Sequence, residues 1–539
     1  MSDRRVLVVG SGPSGVHFAQ TALSKGYQVT MVDVGREAPP PVMPEADLVQ
    51  LKEELADPAG YFLGGSYEGV LLPDFDKEYY GTPPSKNYVF EDGARFAGSL
   101  EGFEPLFSFA RGGMAEAWTA GCYPFNDGEL TDFPFSYARL APHYGEVARR
   151  IGITGEPDDL GRFMPLHEHL LQPLPLDTHS LRLVRAYERK RAYLNETLGA
   201  YLGRTRVATL SRDMDERKAC TKLGRCLWGC PRGALYTPSQ TVRTLQRHDG
   251  FRYLGGLEAL RFQIGDNGRA TALIARQVGG GEIQTLPTSQ LALAAGTLPT
   301  AAIVLRSILA ATGERVRLTG LMDNRQVLVP FLNVGMLGRP YDPASYQYHL
   351  LGLGLSDPDP RAYVHGQITT LKTALLHPII QQLPFDLRTS LLVARATHSA
   401  LGVVNVNFHD SRRGDNWVEL EEGADMESPR LRIRYVPAAD EPGRLHAALG
   451  KVRRVLRALG CVVPPGMQHL RPMGASVHYA GLFPMTTSGD GRWGTDEHCR
   501  TREFSNVLLV DGSTFPFLPA KNVTFTLMAN ASRVAAEAL

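Results

Sequence analysis

The chain has 539 residues, 43% of them hydrophobic and 21% charged, with a formal net charge of +1. This suits a globular protein of two to four domain-sized units and gives no global field toward nucleic acid or an anionic membrane. No apolar run is long enough to span a bilayer. Met1-Ser2-Asp3-Arg4-Arg5 leads straight into an apolar run, so no signal peptide is expected. Six cysteines make no disulfide framework, and a cytoplasmic, reducing location is expected.

Residues 4–9 read as a buried parallel strand because their run is apolar and β-branched rather than alternating. Gly10, Gly12 and Gly15 follow in G-x-G-x-x-G spacing. The first allows a tight turn, the second lets a pyrophosphate approach the backbone, and the third lets helix pack on strand. A helix from about Ser14 to Lys25 aims its N-terminal N–H groups at the phosphates, and Gly26 stops it. A second strand, Gln28 to Val34, carries Asp33 at the distance expected of an acid that binds ribose hydroxyls. Strand, glycines, helix, strand and acid in this order predict a dinucleotide site. The motif alone does not separate FAD from NAD.

From Pro39 to Lys86 the chain is rich in Pro and Gly and reads as an irregular excursion, with Tyr61, Phe62, Phe75 and Tyr79 seeking burial. Ser180 to Leu198 carries a helical pattern. Cys220, Cys226 and Cys230 fall in one short run ending Cys-Pro. A loop of reduced thiols is the first reading of this run; its spacing is also similar to iron–sulfur ligand runs. Cys122, Cys461 and Cys499 read as isolated thiols. Gln326 to Val334, Gly402 to Phe408, Trp417 to Leu420 and Arg430 to Tyr435 alternate as strands, and Pro442 to Leu459 reads as a helix. The acidic stretch Glu419 to Glu427 reads first as a solvated turn and second as a contact for a cationic substrate. Near the C-terminus Val507 to Val510 reads as a strand, followed by Asp511-Gly512-Ser513 and then Asn522 before a final helix. Asn522 stands where a helix cap would stand.

Four segments together resemble the glucose-methanol-choline (GMC) oxidoreductases, flavoenzymes acting on alcohols and sugars. They are Arg111-Gly112-Gly113-Met114-Ala115-Glu116-Ala117-Trp118-Thr119, Leu291 to Pro299 with Ala295-Gly296, Gly474-Ala475-Ser476-Val477-His478, and Asp511 through Asn522. The first is similar to the flavin loop of the pyranose-oxidase branch. The resemblance implies an α/β protein (α+β overall): a Rossmann-type FAD-binding domain plus a substrate domain on a large, mostly antiparallel sheet. The FAD domain would take residues 1–40, 88–125, 200–310 and 470–539, and the substrate domain 126–199 and 311–469, with 41–87 as the excursion.

The resemblance further implies roles. Hydride would pass to flavin N5, with His478 as base and Asn522 hydrogen-bonding the substrate oxygen. Thr119 would sit near the flavin ring, and Arg111, Gly112, Gly113, Ala295, Gly296, Asp511 and Gly512 would contact the cofactor. Where pyranose oxidases carry a flavin-linked histidine this chain has Ala117, so a non-covalent FAD is implied. The usual Gly-Thr after the catalytic histidine is replaced by Ala480-Gly481-Leu482. Some family members hold a [3Fe–4S] cluster on a run similar to Cys220, Cys226 and Cys230; such a cluster would imply a dehydrogenase rather than an oxidase. The partners implied are a small alcohol or sugar, which in antibiotic pathways includes aminoglycosides, and an electron acceptor that is oxygen, a quinone or a redox protein. An oxidase using oxygen directly and a non-catalytic flavin carrier are the alternatives.

Overall fold

The computed structural model describes residues 4–37, 44–67, 69, 78, 81–91, 96–373, 376–381, 383–421, 430–487 and 491–539. The first apolar run forms the strand Arg5–Val9, buried from its second residue on. An unbroken apolar run is what a parallel strand needs when both of its faces are covered. It is the middle of a five-stranded parallel sheet in the order Val507–Leu509, Leu291–Leu293, Arg5–Val9, Gln28–Val32, Phe251–Leu254. Leu291 thus pairs with Leu7 on one side and with Val507 on the other, so both ends of the chain enter one sheet. The helix Pro13–Ser24 follows the glycine turn, and the last helix, Thr524–Ala538, packs against it. Thr21 and Ser532 share a hydroxyl hydrogen bond of 2.9 Å, and Tyr27 donates to the Leu539 carbonyl at 2.5 Å.

A second sheet has seven strands, all paired antiparallel. Its path runs Cys461–Val462, Gln326–Asn333, Leu401–Asn407, Val364–Thr370, His349–Leu355, Ala200–Arg204, with His469–Leu470 also on Gln326–Asn333. Strand side chains alternate between faces. Val327, Val329, Phe331, Val404, Val406 and Ile368 therefore share one face, buried with Leu183 of the helix Thr178–Ala192 and Val452 of the helix Glu441–Ala458. The intervening positions put Gln326, Asn405 and Gln367 on the other face, with Asn405 directly opposite Gln367. An α/β fold with a doubly flanked parallel sheet and a large antiparallel sheet is what the sequence predicted.

Three segments differ from the reading. The excursion is helical where it is described: Leu48–Glu54 starts with a capping box between Asp47 and Gln50, Pro58–Leu63 is capped by Asp57, and Pro84–Val89 is a 3-10 turn. Tyr61 and Phe62 pack on Trp228, while Pro39–Pro41, Phe75 and Tyr79 lie outside the described residues. The helix read as Ser180 to Leu198 is α-helical over Thr178–Ala192 and ends in a π-turn over Tyr193–Thr197. In the acidic stretch, Glu419 is a strand residue paired with Arg317 and Arg432, and Glu421 faces Arg430. Glu422, Asp425 and Glu427 lie outside the described residues.

Candidate active site

A cavity of about 440 Å³ opens between the two sheets. At one end it is lined by Gly10, Ser11, Gly12 and Asp33. A Cβ on Gly10 would lie 2.6 Å from the Ala294 carbonyl oxygen, and one on Gly15 would lie 2.0 Å from that of Gly10. Both contacts are closer than any side chain tolerates, so these two glycines are demanded by the fold of the turn itself. A Cβ on Gly12 would meet nothing within 4 Å. That open space is what a bound pyrophosphate needs, and the residues present fit a dinucleotide.

Asp33 is held by the hydroxyls of Ser11 and of Tyr253, the latter at 3.1 Å. Burial raises its carboxyl to about 6; the Ser11 and Tyr253 bonds and the Arg111 charge offset part of that rise. Arg111 does not line the cavity. Its guanidinium stacks 4.7 Å over the Tyr253 ring and pairs with Glu37 and Gln246. The Gly112 amide donates to Ser11 at 2.8 Å, which fastens the loop carrying Gly113, Ala117, Trp118 and Thr119 to the glycine turn. Those four line the cavity, as do Ala295, Gly296, Asp511 and Gly512. The Asp511 carboxylate accepts from Gly296 N at 3.0 Å, Thr300 Oγ1 at 2.6 Å and Ser513 N at 3.0 Å. It is a staple between two chain segments, and the wall it holds is the part facing the cavity.

The other end of the cavity brings together His478, Asn522, Gln326, Gln367, Asn405 and Arg471. His478 Nδ1 lies 3.0 Å from Asn324 Oδ1, and no hydrogen bond to a described residue is recorded at Nε2. Burial, reinforced by the Arg471 charge, lowers its pKa to about 4, so the ring is neutral at neutral pH. Arg471 itself donates to Glu78 at 2.6 Å and to Gln326 at 2.5 Å. Beneath His478, Asp323 takes the Gly474 amide at 2.6 Å and the Ser476 hydroxyl; Ser476 Oγ in turn accepts from His478 N at 3.0 Å. Burial raises the Asp323 carboxyl to about 7. Val477, a β-branched residue, is held at φ +57°, a conformation costing roughly 1–3 kcal/mol, beside the histidine it presents.

Asn522 does not cap the last helix: the cap position is Val523, with no side-chain cap bond. Its Oδ1 accepts from Gln367 Nε2 at 2.7 Å, which leaves the amide nitrogen available on a side chain that lines the cavity. The neighbouring Lys521 is fully buried, donating to Glu129 at 2.5 Å and to the carbonyls of Pro124 and Phe163. Asn324, Gln367, Asp323 and Arg471 were not evident from the sequence. Gln367 lies within a strand, Asp323 and Asn324 precede the strand Gln326–Asn333, Arg471 follows His469–Leu470, and nothing local marks any of them as belonging to the site. Ser11 could have been found, since it lies inside the glycine motif.

The cluster reading of the cysteines is corrected. Among the described residues no group of three or more His, Cys, Asp or Glu side chains could hold a metal ion. Cys226 is half-buried as a residue, its thiol is pushed well up by desolvation, and its sulfur accepts from the Gln347 backbone amide at 3.5 Å. Burial also raises Cys220, so both favour the protonated thiol over the thiolate a metal requires. All six cysteines are free. No described helix is long and apolar enough to cross a membrane.

The fold and this cavity fit a dinucleotide at the glycine turn and place an amide-lined chamber at the other end. Residues 412–531 match the family model described as GMC oxidoreductase, so the chain is similar to that family over its C-terminal part. The chain is 24% identical to 6'''-hydroxyparomomycin C oxidase of Streptomyces lividus, over 98% of this chain and 90% of the relative. Paromamine 6'-oxidase of Streptomyces fradiae gives the same identity and coverage. A 2-methyl-1,2-propanediol dehydrogenase of Mycolicibacterium austroafricanum is 28% identical over 44% of this chain and 39% of its own length. Among solved structures, pyridoxine 4-oxidase from Mesorbium loti superposes with a TM-score of 0.60 at 17% identity, covering 98% of each chain. That last likeness is one of fold.

Proposed function

We propose that this protein is an FAD-dependent oxidase or dehydrogenase of an alcohol group on a sugar or amino sugar, with His478 as base. The observation that carries the reading is the continuous cavity from the glycine turn to the bare Nε2 of His478 and the amide of Asn522. Gly10, Gly12, Gly15 and Asp33 would hold the adenosine diphosphate half of FAD. Gly113, Thr119, Ala295, Gly296 and Gly512 would wall the flavin half. In this reading residues 1–40, 88–125, 200–310 and 470–539 serve the cofactor, and 126–199 with 311–469 the substrate. FAD, when bound, supplies the acceptor for the hydride that leaves the carbinol carbon.

The chain's own residues do the rest. His478 is neutral at neutral pH and takes the hydroxyl proton at Nε2. Asn522, its carbonyl end occupied by Gln367, donates from its amide nitrogen to the oxygen as negative charge grows there. Gln326, Gln367 and Asn405 offer amides to further hydroxyl or amino groups of the substrate. The described carboxylates of the cavity (Asp33, Glu258 and Asp511) lie in or beside the cofactor cradle. Recognition at the reacting end therefore falls to amides and Arg471. The names of the two Streptomyces relatives support an aminoglycoside as the first substrate to try. Oxygen, a quinone and a redox protein are the electron acceptors to compare.

The test is to load the protein with FAD, precipitate it with acid, and follow substrate oxidation by the intact enzyme. Ala117 offers no nucleophilic atom, so FAD is expected in the supernatant. Paromamine should bleach the flavin anaerobically, and peroxide on admitting air would identify an oxidase. His478→Ala should keep FAD and lose roughly 10²–10⁴ of the bleaching rate. Wild-type rates in that variant, or failure of the protein to bind FAD, would overturn the reading.

A further inference from the structure

We infer that Asn324 is a positioning residue that fixes the proton of His478 on Nδ1 and, through the same amide, holds the turn that carries Asn522. The inference rests on the reading of His478 as the base. Asn324 is 1% exposed. Its Nδ2 donates to the Phe408 carbonyl at 2.8 Å and to the Pro519 carbonyl at 2.9 Å. Carbonyls only accept, so both hydrogens of this nitrogen are committed and the orientation of the amide is decided by its surroundings. The other end, Oδ1, then faces His478 Nδ1 at 3.0 Å. A carbonyl oxygen cannot donate, so Nδ1 must.

A neutral imidazole has one proton. With it on Nδ1, the lone pair is on Nε2, the nitrogen without a described partner. The opposite tautomer would set the Nδ1 lone pair against Oδ1 and leave a buried acceptor unpaired, costing about 1–3 kcal/mol. It would also present an N–H to the substrate hydroxyl, which can donate but not take a proton. When Nε2 accepts the hydroxyl proton, the ring becomes imidazolium and the Nδ1–H bond to Asn324 remains. Pro519 stands three residues before Asn522, so the second Nδ2 bond ties the other half of the pair to the same amide. Asp323, the preceding residue, suspends Gly474 and Ser476. Two adjacent residues thus position a histidine more than 150 positions further along the chain.

The experiment is nitrogen NMR of the full-length, FAD-loaded protein with ¹⁵N-labelled histidine, the His478 signals identified by their loss in His478→Gln. The wild type is expected to show an N–H-type Nδ1 and a bare Nε2 near neutral pH. A bare Nδ1 overturns the inference by itself. Asn324→Leu should scramble the two signals and lower the bleaching rate about a hundredfold. Asn324→Asp keeps an acceptor and should keep the Nδ1 signature, while His478 titrates at higher pH beside a carboxylate. An unchanged Nδ1 signature in a folded, FAD-binding Asn324→Leu refutes the tautomer claim. If the tautomer holds but His478→Ala retains full activity, the reading of His478 as base is what fails.

Discussion

On the proposed role of Asp33 in holding the FAD ribose, FAD affinity should depend on pH in a window set by its raised carboxyl. Its carboxyl sits at about 6 in the free protein because burial penalises the charge more than Ser11, Tyr253 and Arg111 favour it. Two ribose hydroxyls donate most effectively to an ionised carboxylate, so the protonated form must lose its proton to bind. The proton therefore competes with FAD below the free-protein value, and affinity rises with pH through 6 and then levels. Where the carboxylate stays ionised in the complex across this range, the dissociation constant scales as 1 + 10^(6 − pH). That is about twofold weaker at pH 6 than at pH 8, and about tenfold weaker at pH 5, or roughly 1.4 kcal/mol. The assay is quenching of FAD fluorescence on titration with apo-protein at four pH values between 5 and 8. Asp33→Asn should bind more weakly at high pH and lose this slope. Asp323, raised to about 7, titrates in the same window, so the difference between wild type and Asp33→Asn is the quantity that matters. A flat wild-type profile, or an equal slope in both proteins, refutes the reasoning.

Lys521→Met would strand the Glu129 carboxylate at 1% exposure, and a loss of about 3–5 kcal/mol in denaturant unfolding is expected. Adding Glu129→Leu should recover most of it; no recovery would show that Lys521 acts through something else. Gln367→Leu removes the donor at Asn522 Oδ1 and should lower the bleaching rate about tenfold with FAD affinity unchanged, whereas an unaltered rate would free Asn522 of any need for orientation. Because His478 is lowered to about 4, its neutral form persists on cooling the pH well below the ordinary histidine range. In Asp323→Asn, which removes the neighbouring titration, kcat/KM should stay level from pH 8 to about 5, and an acid limb near 6.5 would contradict it.

The parts of the site visible in the sequence are those where one residue type is demanded by local geometry. Gly10 and Gly15 have no room for a Cβ, and Asp33 ends a strand whose start and partner can be read from apolar runs. The strands Gln326–Asn333 and Trp417–Leu420 were legible by alternation, since each puts a core face against helices or a neighbouring sheet. Alternation says which residues share a face but not what the polar face meets, and so Gln326 and Asn405 passed as ordinary strand polar residues, while Gln367 lies on a strand, Val364–Thr370, outside the sequence reading. Asn324 carries no local signal, because its three partners, Phe408, His478 and Pro519, come from irregular segments far along the chain. In the cysteine run spacing left two readings open, and burial near Tyr346 and Tyr348 favours the reduced thiols that were read first.

The lowered base has a consequence for how the oxidation can work. A histidine with a pKa of about 4 is always ready to accept a proton near neutrality, yet it is a weak base toward an alcohol. Burial and the Arg471 charge weaken it together, so the site does not rely on base strength. What it supplies instead is a fixed lone pair and a fixed donor: Nε2 from the Asn324-bound ring, and the amide nitrogen of Asn522 set by Gln367. Donation to the oxygen favours the developing alkoxide just where proton transfer is hardest, and Arg471 adds a positive field from the same end of the cavity. On the proposed reading of His478 as base, the charge that burial denies to it would be offered to the substrate oxygen instead, and the amides of the seven-stranded sheet would hold this arrangement still.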